Sequence, residues 1–257
     1  MPHSIIRFVL FLSLIVCSDR ISAQLVDDFS DGDFTNGPSW TGDTDDFVVN
    51  INGELQLMAP EAGESSLFTT LSYPDTIQLD MTFRLEMSPS SSNFGLIYLG
   101  LDDLDPSVAN GYYLQIGESG SNDAIKLYRL DNGSEILLAT ASDGAIASDP
   151  AQARISVTIH PDGLWSFSTD YGLSGFNELE FEVMDDTHSF NGLNIFGIYC
   201  EYTETRKENF FYDDISIMKF EQDETGPLLT NLSVTGDKTI LLSFNEKIRS
   251  LILKFSG

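Results

Sequence analysis

Residues 110–130 read NGYYLQIGESGSNDAIKLYRL, and this stretch decides the fold. In its first part, apolar side chains alternate with a second set at every other position, which predicts a half-buried strand and shows no helical period. The segment ESGSND then supplies turn chemistry, because Gly accepts a positive φ while Ser, Asn and Asp hydrogen-bond to nearby backbone groups. Residues 123–130 alternate in the same way, so the whole stretch is predicted to be a β-hairpin with one face toward a core.

Nearly every other segment repeats this scheme of short alternating strands between turns rich in Gly, Asp, Ser and Asn. The turn segment HPDG at residues 160–163, for example, joins the alternating runs RISVTIH and LWSFSTD. About a dozen such strands within about 195 residues favour an all-β fold, namely a two-sheet antiparallel jelly-roll sandwich.

The charge balance limits the possible partners. The 257 residues include 40 acidic and 13 basic side chains, for a net charge of −27. Such a field repels nucleic acid and anionic membranes, so neither is an expected partner, and its first consequence is solubility. The 42% hydrophobic content is typical of a chain that folds around a core.

The N-terminus has the organisation of an export signal. Arg7 provides a basic start, residues 8–16 form an apolar segment too short to span a bilayer, and a cleavage point precedes Gln24. Residues 1–23 are therefore predicted to be a signal peptide, and the mature chain is predicted to be exported to the extracellular space or the cell-envelope surface. No other apolar stretch is long enough to be a transmembrane segment.

The two cysteines add little to this interpretation. A lipoprotein signal acylated at Cys17 is disfavoured, because Val16 before it is not a small residue. Once the signal is removed, Cys200 is the only cysteine and no intramolecular disulfide is possible. Its position within an apolar strand predicts a small buried hydrophobic residue rather than a nucleophile.

The composition changes after residue 220. Residues 221–227, EQDETGP, form an acidic Pro/Gly linker, and residues 228–257 begin a new strand–turn–strand pattern. Two strands alone are marginal in water, so this last segment is predicted to be the start of a second small β domain that is cut short. The expected organisation is thus a signal peptide, a sandwich over residues 24–220, a linker and an incomplete β segment.

Three segments together resemble one family. VDDFSDGDF at 26–34, the hairpin at 110–130 and IYCEYTETRKENFFYDDISI at 198–217 are similar to the concanavalin A-like, laminin G-like β-sandwich module of secreted Bacteroidota-type surface proteins. The resemblance covers residues 25–220, and the tail resembles the opening of a bacterial Ig-like repeat. In such proteins Ig-like and lamin-tail repeats often follow the sandwich. The resemblance transfers no catalytic residues, so it implies a non-catalytic module.

One face of the hairpin offers a candidate ligand surface. Tyr113, Gln115, Lys126 and Tyr128 alternate with the apolar set, and Tyr98 in the FGLIYLG segment can join them. Sandwich lectins use aromatic rings and side-chain amides to hold sugars, so these residues are predicted to bind a glycan or another cell-surface ligand. Two alternatives stay open: the rings pack under a neighbouring strand or loop, or the module is a structural spacer without a ligand.

A structural calcium site is predicted where the first and last strands meet. In FFYDDISI, period 2 places Asp213 on the same face as Phe211, which is assigned to the core, and a buried carboxylate is costly unless it is hydrogen-bonded or binds a metal. Asp27, Asp28 and Asp214 offer further oxygen ligands of the kind that Ca²⁺ prefers. Carbohydrate-binding modules similar to this one hold a calcium at such strand ends. The alternative is that Asp213 accepts only backbone N–H groups.

A laminarinase-like glycoside hydrolase is the enzymatic alternative. Glu178, Glu180 and Glu182 alternate with apolar residues, and period 2 would place the three carboxylates on one face, where Glu178 and Glu182 could act as a catalytic pair. However, Glu180 stands where such enzymes carry Asp, and no Trp lies just upstream. The pattern favours an edge strand with a solvated acidic face, and no catalytic residue is predicted.

Overall fold

The structure, a computed structural model, describes residues 23–118, 120, 122–220, 228–236 and 239–244. The predicted signal peptide up to residue 22 and the predicted linker at 221–227 lie outside the described residues. The first strand begins at Ala23. No helix in the described part of the chain is long and apolar enough to cross a membrane.

Short strands dominate the structure, which confirms the all-β prediction. The strands are β1 (Ala23–Asp27), β2 (Thr41–Gly42), β3 (Phe47–Val49), β4 (Leu55–Leu57), β5 (Gly63–Thr70), β6 (Ile77–Leu85), β7 (Phe94–Leu101), β8 (Gly111–Ile116), β9 (Ile125–Asp131), β10 (Ser134–Thr140), β11 (Ala151–Ile159), β12 (Leu164–Asp170), β13 (Glu178–Met184), β14 (Ile195–Tyr202), β15 (Phe210–Lys219), β16 (Leu229–Gly236) and β17 (Thr239–Phe244). A 3₁₀ turn at Thr44–Asp46 precedes β3. This turn and the two-residue β2 are too short to show a period, so the sequence does not predict them.

Two antiparallel sheets enclose one core, as predicted for a jelly-roll sandwich. One sheet has eight strands in the order β13-β12-β11-β6-β15-β4-β3, with β1 paired to β15, and the other has seven in the order β10-β9-β8-β7-β14-β5-β2. Both sheets contribute to the core, whose largest side chains include Trp40, Trp165 and Tyr112. The first and last strands of the sandwich lie side by side, as expected.

β8 and β9 form the predicted hairpin near the middle of the seven-stranded sheet. Tyr113 lies opposite Tyr128 in its register, while the alternate residue Tyr112 is buried in the core. The two faces therefore separate as the period-2 pattern predicts. The HPDG segment likewise forms the turn between β11 and β12, where the Gly163 N–H donates to the His160 carbonyl at 3.0 Å.

The cysteine at position 200 lies inside the core. Cys200 is fully buried, as predicted, and its sulfur lies 3.4 Å from the Tyr212 hydroxyl oxygen. Burial raises the pKa of the thiol to about 12. The thiolate that nucleophilic or metal chemistry needs does not form near neutral pH, so Cys200 is a packing residue.

The chain divides into two compact units after Phe220. In the second unit, β16 and β17 pair as an antiparallel hairpin, with Leu232 opposite Leu242. Leu229 and Leu232 are both more than half exposed to solvent, as is typical of a hairpin whose described part consists of two strands.

Candidate functional site

A row of aromatic side chains crosses the outer face of the seven-stranded sheet. In the register of the sheet, Phe68 pairs with Gly197, Gly197 with Tyr98, Tyr98 with Tyr113 and Tyr113 with Tyr128. The ring centroids are 5.9 Å apart between Phe68 and Tyr98, 6.0 Å between Tyr98 and Tyr113, and 5.1 Å between Tyr113 and Tyr128. These distances are those of favourable ring contacts. We call Phe68, Tyr98, Tyr113 and Tyr128 the aromatic row.

Glycine at position 197 makes the row continuous. A Cβ atom built on Gly197 would lie 2.4 Å from Cδ1 of Phe68 and 3.1 Å from the Leu67 carbonyl oxygen. The Phe68 ring therefore occupies the space that a side chain on β14 would fill. Because that space is open, Phe68 on β5 reaches across β14 and stacks on Tyr98 of β7.

The aromatic row borders an open groove of about 760 Å³. Its apolar and aromatic lining includes Phe68, Leu96, Tyr98, Tyr113 and Tyr199, and a wall is formed by residues 104–107, which connect β7 and β8. Four carboxylate side chains also line it: Asp43, Glu64, Asp105 and Glu135. We call this space the aromatic groove. Concave sites that combine apolar surface with a few polar groups are where proteins usually bind small ligands.

Two tyrosine hydroxyls of the groove are held by carboxylates. The Tyr113 hydroxyl donates to Oε1 of Glu135 at 2.8 Å, and the Tyr199 hydroxyl donates to Oε2 of Glu64 at 2.7 Å. Burial, followed by the hydrogen bond to the carboxylate, raises the pKa of both tyrosines. Both phenols therefore stay protonated, and each hydrogen bond orients a ring and a carboxylate at the same time.

Tyr98 lies between these two pairs and has an unused hydroxyl. Its side chain lines the groove and is only 3% exposed, yet no described residue forms a hydrogen bond with its hydroxyl. Burial, with the charges of Glu135 and Glu64, raises the pKa of Tyr98, so the group is a neutral phenol. The hydroxyl oxygen itself is not among the buried unpaired atoms of the described residues, so it opens into the groove, where water or a ligand can bond to it.

The five predicted ligand residues lie on one face of the sheet, but only some of them line the groove. Three of the five line the groove: Tyr98, Tyr113 and Gln115. Gln115 donates its amide hydrogen to the Gly117 carbonyl at 2.8 Å. Tyr128 belongs to the aromatic row and stacks on Tyr113. Lys126 forms an ion pair with Glu118 and does not line the groove.

Sequence reasoning missed the part of the site that comes from distant strands. Phe68 and Glu64 lie on β5, Tyr199 on β14 and Glu135 on β10. Each of them occupies an alternating strand, but only the order of the strands in the sheet brings them beside β7 and β8. The one local signal was the glycine inside the apolar strand NIFGIYCEY, because an interior strand glycine often marks a close approach.

The structure corrects the predicted face of Asp213. Between Asp213 and Ser216, β15 advances three residues while β6 advances two, so β15 contains a β-bulge. Asp214 within it has φ of 53°. The extra residue reverses the alternation: Ile215 faces the core, whereas Asp213 lies on the outer face opposite Thr82. The prediction that Asp213 lies on the core face is wrong.

The surroundings of Asp213 are those of a partly covered outer face. Phe211, for which the sequence also predicts the core face, lies on this outer face, with the Arg84 guanidinium 3.8 Å from its ring centroid. Burial raises the pKa of the Asp213 carboxyl to about 6, and the nearby charges of Asp214 and Glu54 act in the same direction.

Asp27 and Asp28 are already engaged by the chain itself. Asp27 is buried and accepts the Phe29 N–H at 3.1 Å and the Trp40 indole N–H at 2.8 Å. Desolvation nevertheless raises the pKa of Asp27. Asp28 is exposed and accepts the N–H and hydroxyl of Ser30. The described residues include no group of three or more His, Cys, Asp or Glu that could hold a metal, and the calcium site stays a prediction.

The register also separates the predicted hydrolase pair. Glu182 lies opposite Ser166 and Glu178 lies opposite Thr169. Ser166 and Thr169 are three positions apart on a strand and therefore belong to opposite faces. The extra residue is Glu180, whose carboxylate accepts the Thr169 hydroxyl at 2.9 Å. The prediction that the three carboxylates share a face is wrong, and Glu178 and Glu182 cannot converge as a retaining mechanism requires.

The architecture, a two-sheet antiparallel β-sandwich, is shared with several solved carbohydrate-binding domains. No protein-family model matches the chain, and no curated protein matches it. Among solved structures, it is similar to the exoplasmic/lumenal domain of VIP36 in a Ca²⁺/Man2-bound form, with a TM-score of 0.57, 13% identity, and 78% of this chain and 89% of that chain covered. It is also similar to the carbohydrate recognition domain of Emp47p, with a TM-score of 0.56, 14% identity, and coverage of 76% and 94%. At these identities the likeness concerns the fold.

Proposed function

We propose that residues 24–220 form a non-catalytic glycan-binding module and that the aromatic groove is its binding site. The observation that carries this proposal is the aromatic row on an outer sheet face beside an open groove. Phe68, Tyr98 and Tyr113 are themselves buried, whereas Leu96 and Tyr199 beside them in the groove are only partly buried. Apolar surface that is left open in this way commonly marks a binding site. The similar VIP36 domain was solved with Man2 bound, and the Emp47p domain is a carbohydrate recognition domain, which supports a glycan as the ligand.

The groove supplies both kinds of contact that a saccharide needs. The partly buried side chains of Phe94, Leu96 and Tyr199 offer apolar surface for the C–H faces of a sugar ring. Glu64 and Glu135 accept hydrogen bonds from sugar hydroxyls, and the Tyr98 hydroxyl can donate one. Because the Tyr113 and Tyr199 hydroxyls are already fixed by carboxylates, little side-chain ordering remains when a ligand binds.

The signal-like N-terminus extends the proposal to location. We place the module on an exported protein at the extracellular or cell-envelope surface, of the Bacteroidota type that the sequence resembles. No calcium ion enters this proposal, because Asp27 is engaged by Trp40 and Asp213 lies on the opposite side of its strand from the core.

A glycan array followed by a titration of the best ligand tests the proposal. Tyr113→Ala should weaken binding by at least about tenfold, as expected for a central aromatic contact. Tyr128→Ala should weaken it less, because Tyr128 does not line the groove and acts only through its stacking on Tyr113. Gln152→Ala, on the outer face of the eight-stranded sheet, is the matched control and should bind like the natural chain. Melting curves identify variants that fail to fold. If the natural chain binds no glycan at all, the module is a structural spacer and the proposal fails.

A further inference from the structure

The aromatic groove is acidic as well as aromatic. Four carboxylates line it and no Lys or Arg does, among the residues that the structure describes. The nearest predicted basic ligand residue, Lys126, is instead ion-paired with Glu118. The groove thus concentrates the negative charge of a chain whose net charge is −27, and a concave site of one charge sign attracts ligands of the opposite sign.

Two of the four carboxylates each accept two hydrogen bonds from a serine of the chain itself. Asp43 accepts the N–H of Ser66 at 2.8 Å and also its hydroxyl. Asp105 accepts both the N–H and the hydroxyl of Ser107. These contacts stabilise the walls of the groove, so the presence of Asp43 and Asp105 there has a structural reason that involves no ligand.

Glu64 and Glu135 are different, because each accepts a single hydrogen bond, from a tyrosine of the groove. An ionised carboxylate offers about four acceptor sites, so both keep unused capacity. The independent observation is Tyr98, which is 3% exposed, lines the groove and has a hydroxyl without a partner among the described residues. Its phenol oxygen can accept one further hydrogen bond. Three acceptors from three different strands therefore face one space.

We propose that the groove selects a saccharide with a free primary amine, such as an oligomer of deacetylated glucosamine, over its neutral and anionic counterparts. The inference rests on the proposed glycan-binding function and specifies its ligand class. A primary ammonium carries three donors and no acceptor, which matches Glu64, Glu135 and the Tyr98 oxygen. A uronic acid or a sulfated sugar is instead repelled by the same carboxylates.

The test compares three β-1,4-linked tetrasaccharides that differ only at carbon 2: hydroxyl, N-acetyl and free amine. Calorimetry at about pH 5, where such an amine is protonated, should show the amine oligomer binding at least about tenfold more tightly than the other two. The double variant Glu64→Gln/Glu135→Gln should remove that preference. Tyr98→Phe, which keeps the ring, should reduce it severalfold.

Non-specific attraction to an acidic protein needs its own control. Glu178→Gln/Glu182→Gln makes the same change in net charge on the exposed edge strand β13 and should leave the preference intact. The inference would be overturned if both double variants lost the preference for the amine oligomer equally. It would also be overturned if polylysine and the amine oligomer bound equally well to each of the two double variants. Tighter binding of the hydroxyl or N-acetyl oligomer would overturn it while leaving the glycan-binding proposal standing. If neither the three oligomers nor any glycan on an array binds, the glycan-binding proposal itself fails.

Discussion

The two outer faces of the sandwich differ in chemistry, although both sheets cover the same core. On the eight-stranded sheet, the outer face carries polar side chains that bond to one another: Gln78 donates to the Ser156 hydroxyl at 2.6 Å and accepts from the Thr158 hydroxyl at 2.8 Å. On the seven-stranded sheet, the outer face carries the aromatic row, whose neighbouring ring centroids lie 5.1 to 6.0 Å apart.

This contrast distinguishes the side chains that a water-facing sheet surface requires from those that have another reason to be there. The polar face is what a sheet requires when one side meets water. The aromatic row belongs to a second buried cluster outside the main core, with Leu101, Ala109, Leu130 and Ile195. Packing therefore accounts for the buried rings, and what remains for a ligand is the partly buried apolar surface of Leu96 and Tyr199 beside them.

Tyr98→Ala is expected to have the largest effect, because it removes the centre of the aromatic row. Truncating a buried aromatic side chain typically costs about 3–5 kcal/mol of unfolding free energy, and glycan binding should be lost with it. Gln152→Ala on the polar face should change the unfolding free energy by less than about 0.5 kcal/mol. Urea unfolding measures both. Equally small effects would mean that the two faces are energetically alike.

Gly197→Ala should have the next largest effect. The new Cβ would lie 2.4 Å from the Phe68 ring, and such overpacking typically costs about 1–3 kcal/mol. Gly172→Ala is the matched control, because its nearest atom would be 3.8 Å away. In a Phe68→Ala background the cost of Gly197→Ala should largely disappear, which a double-mutant cycle of unfolding free energies detects. An unchanged cost would show that Phe68 does not occupy that space.

Asp213, on the outer face of the eight-stranded sheet, should make the unfolding free energy depend on pH. Its carboxyl has a folded-state pKa of about 6, above the unfolded value of about 3.9. The folded state therefore retains a proton that the unfolded state releases, so this group lowers stability as pH rises from about 4 to about 6. Asp213→Asn should remove that fall, which we expect to be about 1 kcal/mol because the partly exposed charge is screened. Parallel pH curves for both chains would contradict it.

Calcium should have the smallest effect. The structure gathers no metal-binding group from Asp27, Asp28, Asp213 and Asp214, so adding calcium or a chelator should move the melting temperature by less than about 1 °C, since only an ion that binds the folded state stabilises it. A rise of several degrees with calcium that Asp213→Asn abolishes would confirm the predicted site. Magnesium is the control ion, because it demands tighter octahedral geometry.

The successful predictions depend on neighbouring residues of one strand, whereas the failed ones depend on pairing with a strand that is distant in the sequence. Alternation within one strand is local, and it located the hairpin, the turn at HPDG and the two faces that separate Tyr112 from Tyr113. The face of Asp213 failed because one extra residue in β15 reverses the alternation. Glu182 was separated from Glu178 in the same way by a bulge at Glu180. A bulge is visible only against the partner strand, which the sequence does not name.

By itself, the sequence determined the all-β class, the strand positions and which side of the hairpin faces the core, because these depend on a two-residue period and on turn chemistry. Only the tertiary structure determined which residues come together in the aromatic groove. Phe68 meets Tyr98, and Glu64 meets Tyr199, because β5, β14 and β7 are neighbours in one sheet, and strand order is set by pairing between residues far apart in sequence. The groove exists where that order, a glycine on the middle strand and the loop at residues 104–107 come together.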